Sequence, residues 1–178
     1  MSVTVVVPEP FKVLWVTDEE RPIVKYPAEV LRQKAAPVER VNKELRRLAE
    51  EMVRAMRSAN GIGLAAPQLG RSVRLLISAA AGKPRAFFNP EILSAEGEQV
   101  AQEGCLSLPG LYGDVKRAAK VRVRFLDEEN RVREETFEDL EARVMQHEID
   151  HLDGVLFIDR VEVETLHWEW PLGARDSA

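Results

Sequence analysis

The stretch QHEIDHLDG, residues 146–154, limits what this chain can fold into more than any other segment. Two of the three histidines, His147 and His151, lie four residues apart, and Glu148 directly follows the first. On a helix this spacing places both imidazoles on one face, one turn apart, where both can reach one metal ion. The fold must therefore keep this helix ordered and bring a further ligand to it.

The helix is predicted from the periodicity around the motif. It runs from about Glu138 to Asp153, and Gly154 is the expected cap. A narrow polar stripe holds five residues: Asp139, Arg143, Gln146, Asp150 and Asp153. Most of the remaining surface is apolar: Leu140, Val144, Met145, Ile149 and Leu152. So broad an apolar surface packs on several sides, so we expect the histidines and the glutamate to face protein.

A second helix is predicted from about Asn42 to Asn60, with Gly61 as its cap. Its apolar residues recur at three- and four-residue steps: Leu45, Leu48, Met52 and Met56. Strands are predicted for VRLLIS (73–78), RAFFNP (85–90, stopped by Pro90) and the hairpin VRVRFLDEENRVREETF (121–137). Strands grouped between two helices indicate an α+β fold.

No repeat or linker divides the chain, which predicts a single domain over residues 1–178. Residues 1–22 are expected to form an extended lead-in, and residues from about 161 to 178 a short tail. The net charge of −5 and the absence of a basic run disfavour direct electrostatic binding of DNA or RNA. No segment resembles a signal peptide or a membrane span. One cysteine allows no intrachain disulfide, so we expect a cytoplasmic protein.

A metal site on the predicted helix needs a third ligand. In zinc endopeptidases with an HExxHxxGxxH motif that ligand would stand at Phe157, which cannot bind a metal. A later glutamate could serve in another endopeptidase class, and Glu164 or Glu169 is the candidate. Both lie too near the end of the sequence to build the second helix of such a cleft. His167 has no partner motif and is expected at the surface or in packing.

Cys105, in EGCLSLPG, is the better third ligand. It follows a glycine in a segment expected to be turn-like and closed by Pro109 and Gly110. A thiolate with two imidazoles suits iron(II), zinc, nickel or cobalt. Three protein ligands leave one coordination position for water, which is typical of a catalytic site.

Three stretches in this order and spacing resemble the peptide deformylase family: GIGLAAPQLG (61–70), EGCLSLPG (103–110) and QHEIDHLDG (146–154). Further likeness lies in IVKYPAEVLRQKAAPVE, VKRA and VLFIDR, so the resemblance covers roughly residues 23 to 160. It implies a mixed α+β fold with sheets around a central metal-bearing helix. It implies removal of the formyl group from the N-terminal formyl-methionine of new polypeptides. It also implies that Cys105, His147 and His151 hold one divalent metal, usually iron(II).

The resemblance assigns chemistry to three further residues. Glu148 is expected to act as general base toward water and then to pass the proton to the departing amine. Gln68 and the backbone N–H of Leu106 are the family's donors to the oxyanion of the tetrahedral intermediate. The partner implied is an N-formyl-methionyl nascent peptide.

The substrate's methionine side chain needs an apolar pocket. Val144 and Leu140, one and two turns before His147, are its expected walls. Ile62 and Gly63 are expected along the substrate backbone, with Glu103 at the entrance.

Arg143 stands where many relatives carry an apolar residue, which predicts a different pocket shape or polarity. The tail beyond Arg160 lacks a basic helix of the kind with which some relatives are thought to dock on the ribosome, so ribosome docking is not predicted. A non-catalytic peptide-binding module is a third interpretation. It is disfavoured because ligands, base and oxyanion donor are all present.

Overall fold

The computed structural model describes residues 3–171. Over this range the chain forms two α-helices and eight β-strands, which confirms the predicted α+β class. The helices are α1 (Lys43–Ser58) and α2 (Asp139–Leu152). The strands are β1 (Gly63–Ala65), β2 (Leu75–Ser78), β3 (Arg85–Glu96), β4 (Gln99–Cys105), β5 (Leu108–Arg117), β6 (Lys120–Leu126), β7 (Val132–Glu138) and β8 (His167–Trp168).

The strands form two antiparallel sheets. The larger has the order β1-β2-β3-β6-β7, and the smaller has the order β4-β5-β8. Helix α2 presents apolar residues to the larger sheet: Ala142, Met145, Ile149 and Leu152. Its predicted polar stripe is partly buried, because Arg143 and Asp150 form ion pairs with residues of the smaller sheet. The metal-motif helix therefore lies between the two sheets.

Helix α1 begins where predicted. Asn42 is its N-cap, and its side chain accepts a hydrogen bond from the N–H of Leu45 at 2.9 Å. The predicted cap at Gly61 is off by one residue, since the left-handed residue is Asn60 with φ 54°. Asparagine tolerates this conformation better than most residues. The N–H of Gly61 instead bonds to the carbonyl of Met56.

The predicted end of a strand at Pro90 is wrong. Strand β3 continues to Glu96, and the pairing register with β6 shifts between Phe88 and Glu91. A proline without an N–H is tolerated in a strand at such an irregularity. The predicted hairpin is confirmed, with β6 and β7 joined at Asp127–Arg131.

The EGCLSLPG motif lies in the hairpin of β4 and β5. This hairpin was not predicted from the sequence. The turn consists of Leu106 and Ser107 rather than the expected Pro109–Gly110. Pro109 and Gly110 lie inside β5, and Gly110 has a φ of 83°. Cys105 is thus the last residue of one strand, held by a paired hairpin rather than by an isolated loop.

Two asparagines with left-handed backbones attach the segment before α1 to the larger sheet. Asn89 accepts from the N–H of Val38 at 2.8 Å and donates to its carbonyl at 2.7 Å. Asn130 does the same for Val41, at 2.6 and 3.0 Å. Each amide side chain replaces the pair of hydrogen bonds that a neighbouring strand would make.

The terminal segments lie together on the smaller sheet. The lead-in, expected to be extended, contains a 3-10 helix at Glu9–Leu14 and a bend at 18–21, where the N–H of Asp18 donates to the carbonyl of Arg21 at 3.1 Å. The tail contributes β8, which pairs with Leu111 and Tyr112 of β5. The part of the predicted tail at 172–178 lies outside the described residues. Within residues 3–171 no helix is both long and apolar enough to cross a membrane.

Candidate metal centre and active site

Three potential ligands converge between α2 and the hairpin of β4 and β5. The ligand atoms of Cys105, His147 and His151 all lie within 4.8 Å of one another. The thiol sulfur is 3.3 Å from Nε2 of His151. Burial holds the pKa of His151 well below its usual value, so its ring is neutral and able to offer a lone pair. Helical spacing places the two rings side by side, with centroids 5.1 Å apart.

Glu103 orients the first of these histidines. Its Oε2 lies 2.8 Å from Nδ1 of His147, which leaves Nε2 of that ring for the metal cluster. Glu103 was expected at a pocket entrance, but its side chain is only 5% exposed. Burial alone would raise the pKa of Glu103, but hydrogen bonds from His147 and Arg117 outweigh it and hold that pKa well below its usual range. Glu103 is therefore an ionised support for a ligand.

Two arginines compensate the buried charge of Glu103. Arg117 binds both of its carboxylate oxygens, at 2.9 and 3.0 Å, and Arg143 donates to Oε1 at 2.6 Å. Arg143 also donates to the carbonyl of Val115 at 3.0 Å. Its guanidinium is thus engaged with the smaller sheet. The prediction that Arg143 alters the polarity of a substrate pocket is not supported by these contacts.

The ion-pair network continues to the molecular surface. Asp150 accepts from Arg117 at 2.5 Å and from Arg160 at 2.6 and 2.8 Å. Arg160 is about half exposed, whereas Asp150 is buried. In the sequence, Arg117 and Arg160 stand within VKRA and VLFIDR, and no role is predicted for either. Their pairing joins residues far apart in sequence, so no local pattern signals it.

Glu148 lies beside the ligands without joining them. A Cβ atom on Gly63 would lie 2.3 Å from its Oε1, so the carboxyl group packs directly on the backbone of β1. Its Oε2 is buried and has no hydrogen-bond partner among the described residues. Burial raises the pKa of Glu148 to about 7. A carboxyl group with such a pKa can both accept and release a proton near neutral pH.

Gln68 is buried and faces the metal ligands. Its Nε2 donates to the hydroxyl of Ser107 at 3.1 Å and lies 3.6 Å from the sulfur of Cys105. Its Oε1 accepts from the N–H of Ala65 at 2.9 Å, which fixes the amide orientation. Leu106 follows Cys105 at the first position of the hairpin turn. The structure therefore brings both expected oxyanion donors next to the thiol.

The expected pocket residues divide into buried and exposed ones. Val144 is 6% exposed, and its Cγ1 would lie 3.0 Å from a Cβ on Gly63. Leu140 and Ile62 are 51% and 47% exposed, respectively. Leu140 and Ile62 are therefore accessible to a ligand, whereas Val144 is almost fully covered.

The competing metal ligands do not reach the site. Phe157 is buried, and its ring stacks on His147 at a centroid distance of 6.5 Å. Glu164 and Glu169 are exposed, and neither belongs to the one metal-type cluster found in the described range. His167 is exposed as predicted and stacks on Tyr112.

The donor set suits a single metal ion. A thiol and two imidazoles point at one volume, and a buried carboxyl oxygen without a partner stands beside them. This set matches three-ligand catalytic sites, in which the fourth position holds water. Fold and site together define the class of metal-dependent hydrolases.

Comparison with known proteins narrows this class. The family model described as polypeptide deformylase matches residues 20–166. A peptide deformylase of Mesorhizobium japonicum is 48% identical over 147 residues, which cover 79% of this chain and 84% of the relative. The chain belongs to the polypeptide deformylase family.

Solved structures agree with this assignment. The peptide deformylase from Thermotoga maritima superposes with a TM-score of 0.77 at 40% identity, over 79% of this chain and 96% of the other. The structure of the Acinetobacter baumannii peptide deformylase with Met-Ala-Ser bound has a TM-score of 0.75 at 36% identity. The match covers 79% of this chain and 97% of that one. Both likenesses extend over nearly the whole of the solved chains.

Proposed function

We propose that this chain removes the formyl group from the N-terminal formyl-methionine of new polypeptides and releases formate. Cys105, His147 and His151 would hold one divalent metal ion. The observation that carries the proposal is the convergence of their ligand atoms within 4.8 Å, beside the buried carboxyl group of Glu148. When bound, the metal would supply Lewis acidity that makes water nucleophilic near neutral pH.

Glu148 is proposed as the proton carrier. It accepts a proton from the attacking water, whose oxygen adds to the formyl carbon. The carbon–nitrogen bond then breaks, and the amine of the methionine takes the proton that Glu148 holds. The raised pKa of Glu148 supports both directions of transfer, because neither protonation state is strongly disfavoured near pH 7. The products are formate and a peptide with a free amine.

Gln68 and Leu106 are proposed to stabilise the oxyanion of the tetrahedral intermediate. The Gln68 amide is held in position by Ala65 and Ser107, so its donor is oriented before substrate arrives. The N–H of Leu106 extends from the turn that follows the thiol ligand. A donor that is fixed in advance requires no reorganisation when the charge develops.

The substrate is proposed to lie along β1. Gly63 and Ile62 would contact its backbone, while Val144 and Leu140 would contact the methionine side chain. The Met-Ala-Ser complex of the Acinetobacter baumannii relative supports a peptide that begins with methionine as the ligand. Nascent formylated peptides are the proposed partners, and neither nucleic acid nor membrane is proposed as a ligand. The proposed location is the cytoplasm, where such peptides are made.

Iron(II) is proposed as the native metal, with zinc, nickel and cobalt as functional substitutes. A thiolate with two imidazoles binds each of these ions, so the ligand set does not select one. Iron(II) is proposed among them because it is the usual metal of the family. Metal analysis of protein purified without oxygen tests it.

The test of function combines metal content with formate release from a formyl-Met-Ala peptide. The parent should release formate. Cys105→Ser should lose metal, and Glu148→Ala should keep metal but lose activity by at least about 100-fold. His167→Ala is the control, because this exposed histidine lies outside the cluster. It should match the parent in both measurements.

The same measurements distinguish the two alternatives. A zinc endopeptidase would cleave internal bonds of unformylated peptides and would tolerate loss of Cys105. A peptide-binding module would bind peptide and release no formate. Absence of formate from a metal-loaded parent would refute the proposed function.

A further inference from the structure

Both terminal segments of the chain extend beyond the part that the family model matches, residues 20–166. The chain has three tryptophans, and all of them lie in these segments: Trp15, Trp168 and Trp170. Phe11 joins them, with its ring centroid 5.2 Å from Trp168 and 5.1 Å from Trp170. Trp15 lies 6.0 Å from Trp168. We call these four residues the aromatic clasp.

The clasp packs on the beginning of β5. The indole N–H of Trp15 donates to the carbonyl of Pro109 at 2.9 Å. A Cβ on Gly110 would lie 2.7 Å from a ring carbon of Phe11, so that ring covers the glycine closely. The N–H of Glu169 donates to the carbonyl of Gly110 at 2.8 Å. Trp168 itself pairs with Leu111 in the sheet.

This contact is close in sequence to the proposed chemistry. Only Leu106, Ser107 and Leu108 separate Cys105 from Pro109. On its other side the turn is held by Gln68, which donates to the Ser107 hydroxyl. The N–H of Tyr26 donates to the Ser107 carbonyl at 2.9 Å. Gln68 and Tyr26, which lie within the matched family region, thus hold the turn on one side. The clasp contacts the next residues, Pro109 and Gly110, on the other side.

We propose that the aromatic clasp is a positioning element for the Cys105–Pro109 turn, with the Trp15 hydrogen bond as its main restraint. The inference rests on the proposed function, since it assigns Cys105 to the metal and Leu106 to the oxyanion. Ligand geometry depends on the groups that hold the ligands, and weakening them lowers metal affinity. Residues 3–19 thereby contribute to the active site, although they lie outside the matched family region.

Trp15→Phe tests the restraint, because it keeps an aromatic ring and removes the N–H donor. Trp170→Phe is the matched control. Trp170 stacks on Phe11, but its side chain makes no hydrogen bond to the hairpin within residues 3–171. Both full-length variants are loaded with zinc, and the rate of zinc loss to a colorimetric chelator is measured well below the melting temperature. Formate release gives kcat and KM separately.

Trp15→Phe is expected to lose zinc about 3- to 10-fold faster than the parent, which corresponds to loss of one hydrogen bond. Its kcat should fall by a similar factor while KM changes less than twofold, because substrate contacts with β1 remain. Trp170→Phe should match the parent in both. A purely structural clasp would lower the melting temperature of both variants without changing zinc loss.

Equal rates of zinc loss for Trp15→Phe and the parent would overturn the proposal. Should Trp15→Phe fail to fold, Trp15→Leu replaces it, because this change also removes the donor to the Pro109 carbonyl. The same rate criterion then applies. The parent protein separates this result from failure of the proposed function. If the proposed function were wrong, the parent itself would release no formate, at any rate of zinc loss.

Discussion

Gly63 and Glu148 approach so closely that any side chain at position 63 would displace the carboxyl group. A Cβ there would lie 2.3 Å from Oε1 and 3.0 Å from the carboxyl carbon. Real Cβ atoms do not tolerate such distances, and Glu148 cannot retreat freely because its side chain is buried. The glycine therefore fixes the position of the proposed base.

Gly63→Ala is expected to lower kcat by about 100-fold, the effect typical of a catalytic group displaced by about 1 Å. Metal content should stay at the parent level, since the atoms nearest the new methyl group belong to Glu148 and Val144 rather than to a ligand. Formate release and metal analysis on the same preparation check this. Retention of full kcat would show that Glu148 does not need its observed position.

Glu148→Gln is expected to stabilise the metal-free protein increasingly as pH rises. Burial raises the pKa of Glu148 from 4.5 to about 7, so the folded state binds its proton more tightly than the unfolded state. The contribution of this tighter proton binding to the stability of the fold is fully present below pH 4.5 and is lost as pH rises through 7. At pH 8 the difference between the folded and unfolded pKa values lowers the free energy of unfolding by about 3 kcal/mol. Glutamine does not titrate, so it avoids the loss.

Denaturant unfolding of chelator-treated parent and variant at pH 5 and pH 8 measures this difference. The stability advantage of Glu148→Gln should grow by about 2–3 kcal/mol over that interval. Glu162→Gln, at an exposed position, is the control and should show no such growth. A constant difference between pH 5 and pH 8 would contradict the prediction.

Glu103→Gln is expected to destabilise the fold by about 3 kcal/mol, because it leaves buried Arg143 without its anion. It should also weaken metal affinity by about 10- to 100-fold through His147. The matched control is Glu98→Gln, which breaks an exposed ion pair with Lys116 and should cost under about 1 kcal/mol. Thermal unfolding and competition with a metal chelator check both. Equal effects of the two substitutions would be inconsistent with a supporting role for Glu103.

Iron-loaded protein is expected to lose activity in air faster than nickel-loaded protein. Iron(II) is oxidised by oxygen, and a thiolate ligand such as Cys105 is open to oxidation at the same site. Activity half-lives of the two forms, in air and under nitrogen, measure the effect. Equal half-lives in air would argue against an iron–thiolate centre.

The central helix could be predicted from sequence because its information is local. Its ends at Asp139 and Leu152 lie within one residue of the predicted bounds, and Gly154 adopts a left-handed φ of 73°. Periodicity, a terminal glycine and the i, i+4 histidines each act within a few residues. The involvement of Cys105 followed from chemistry rather than from periodicity, since two imidazoles needed a third ligand.

The hairpin of β4 and β5 could not be predicted in the same way. Gly104, Pro109 and Gly110 read locally as turn residues, yet Pro109 and Gly110 lie in a strand, where their carbonyls accept from Trp15 and from the N–H of Glu169, both far away in sequence. Glu103 was placed at an entrance because the sequence does not show Arg117 and Arg143 closing over it. Its burial depends on contacts 14 and 40 residues away in the chain. Such tertiary contacts override local preference.

The two asparagines that attach Val38 and Val41 to the larger sheet differ in their susceptibility to deamidation. Deamidation proceeds by attack of the following backbone nitrogen on the side-chain amide. Asn89 precedes Pro90, whose nitrogen carries no hydrogen, so this route is blocked there. Asn130 precedes Arg131 and stays susceptible. Its conversion to aspartate would turn a donor toward the Val41 carbonyl into an acceptor, so of these two attachments only the one at Val41 would weaken on storage.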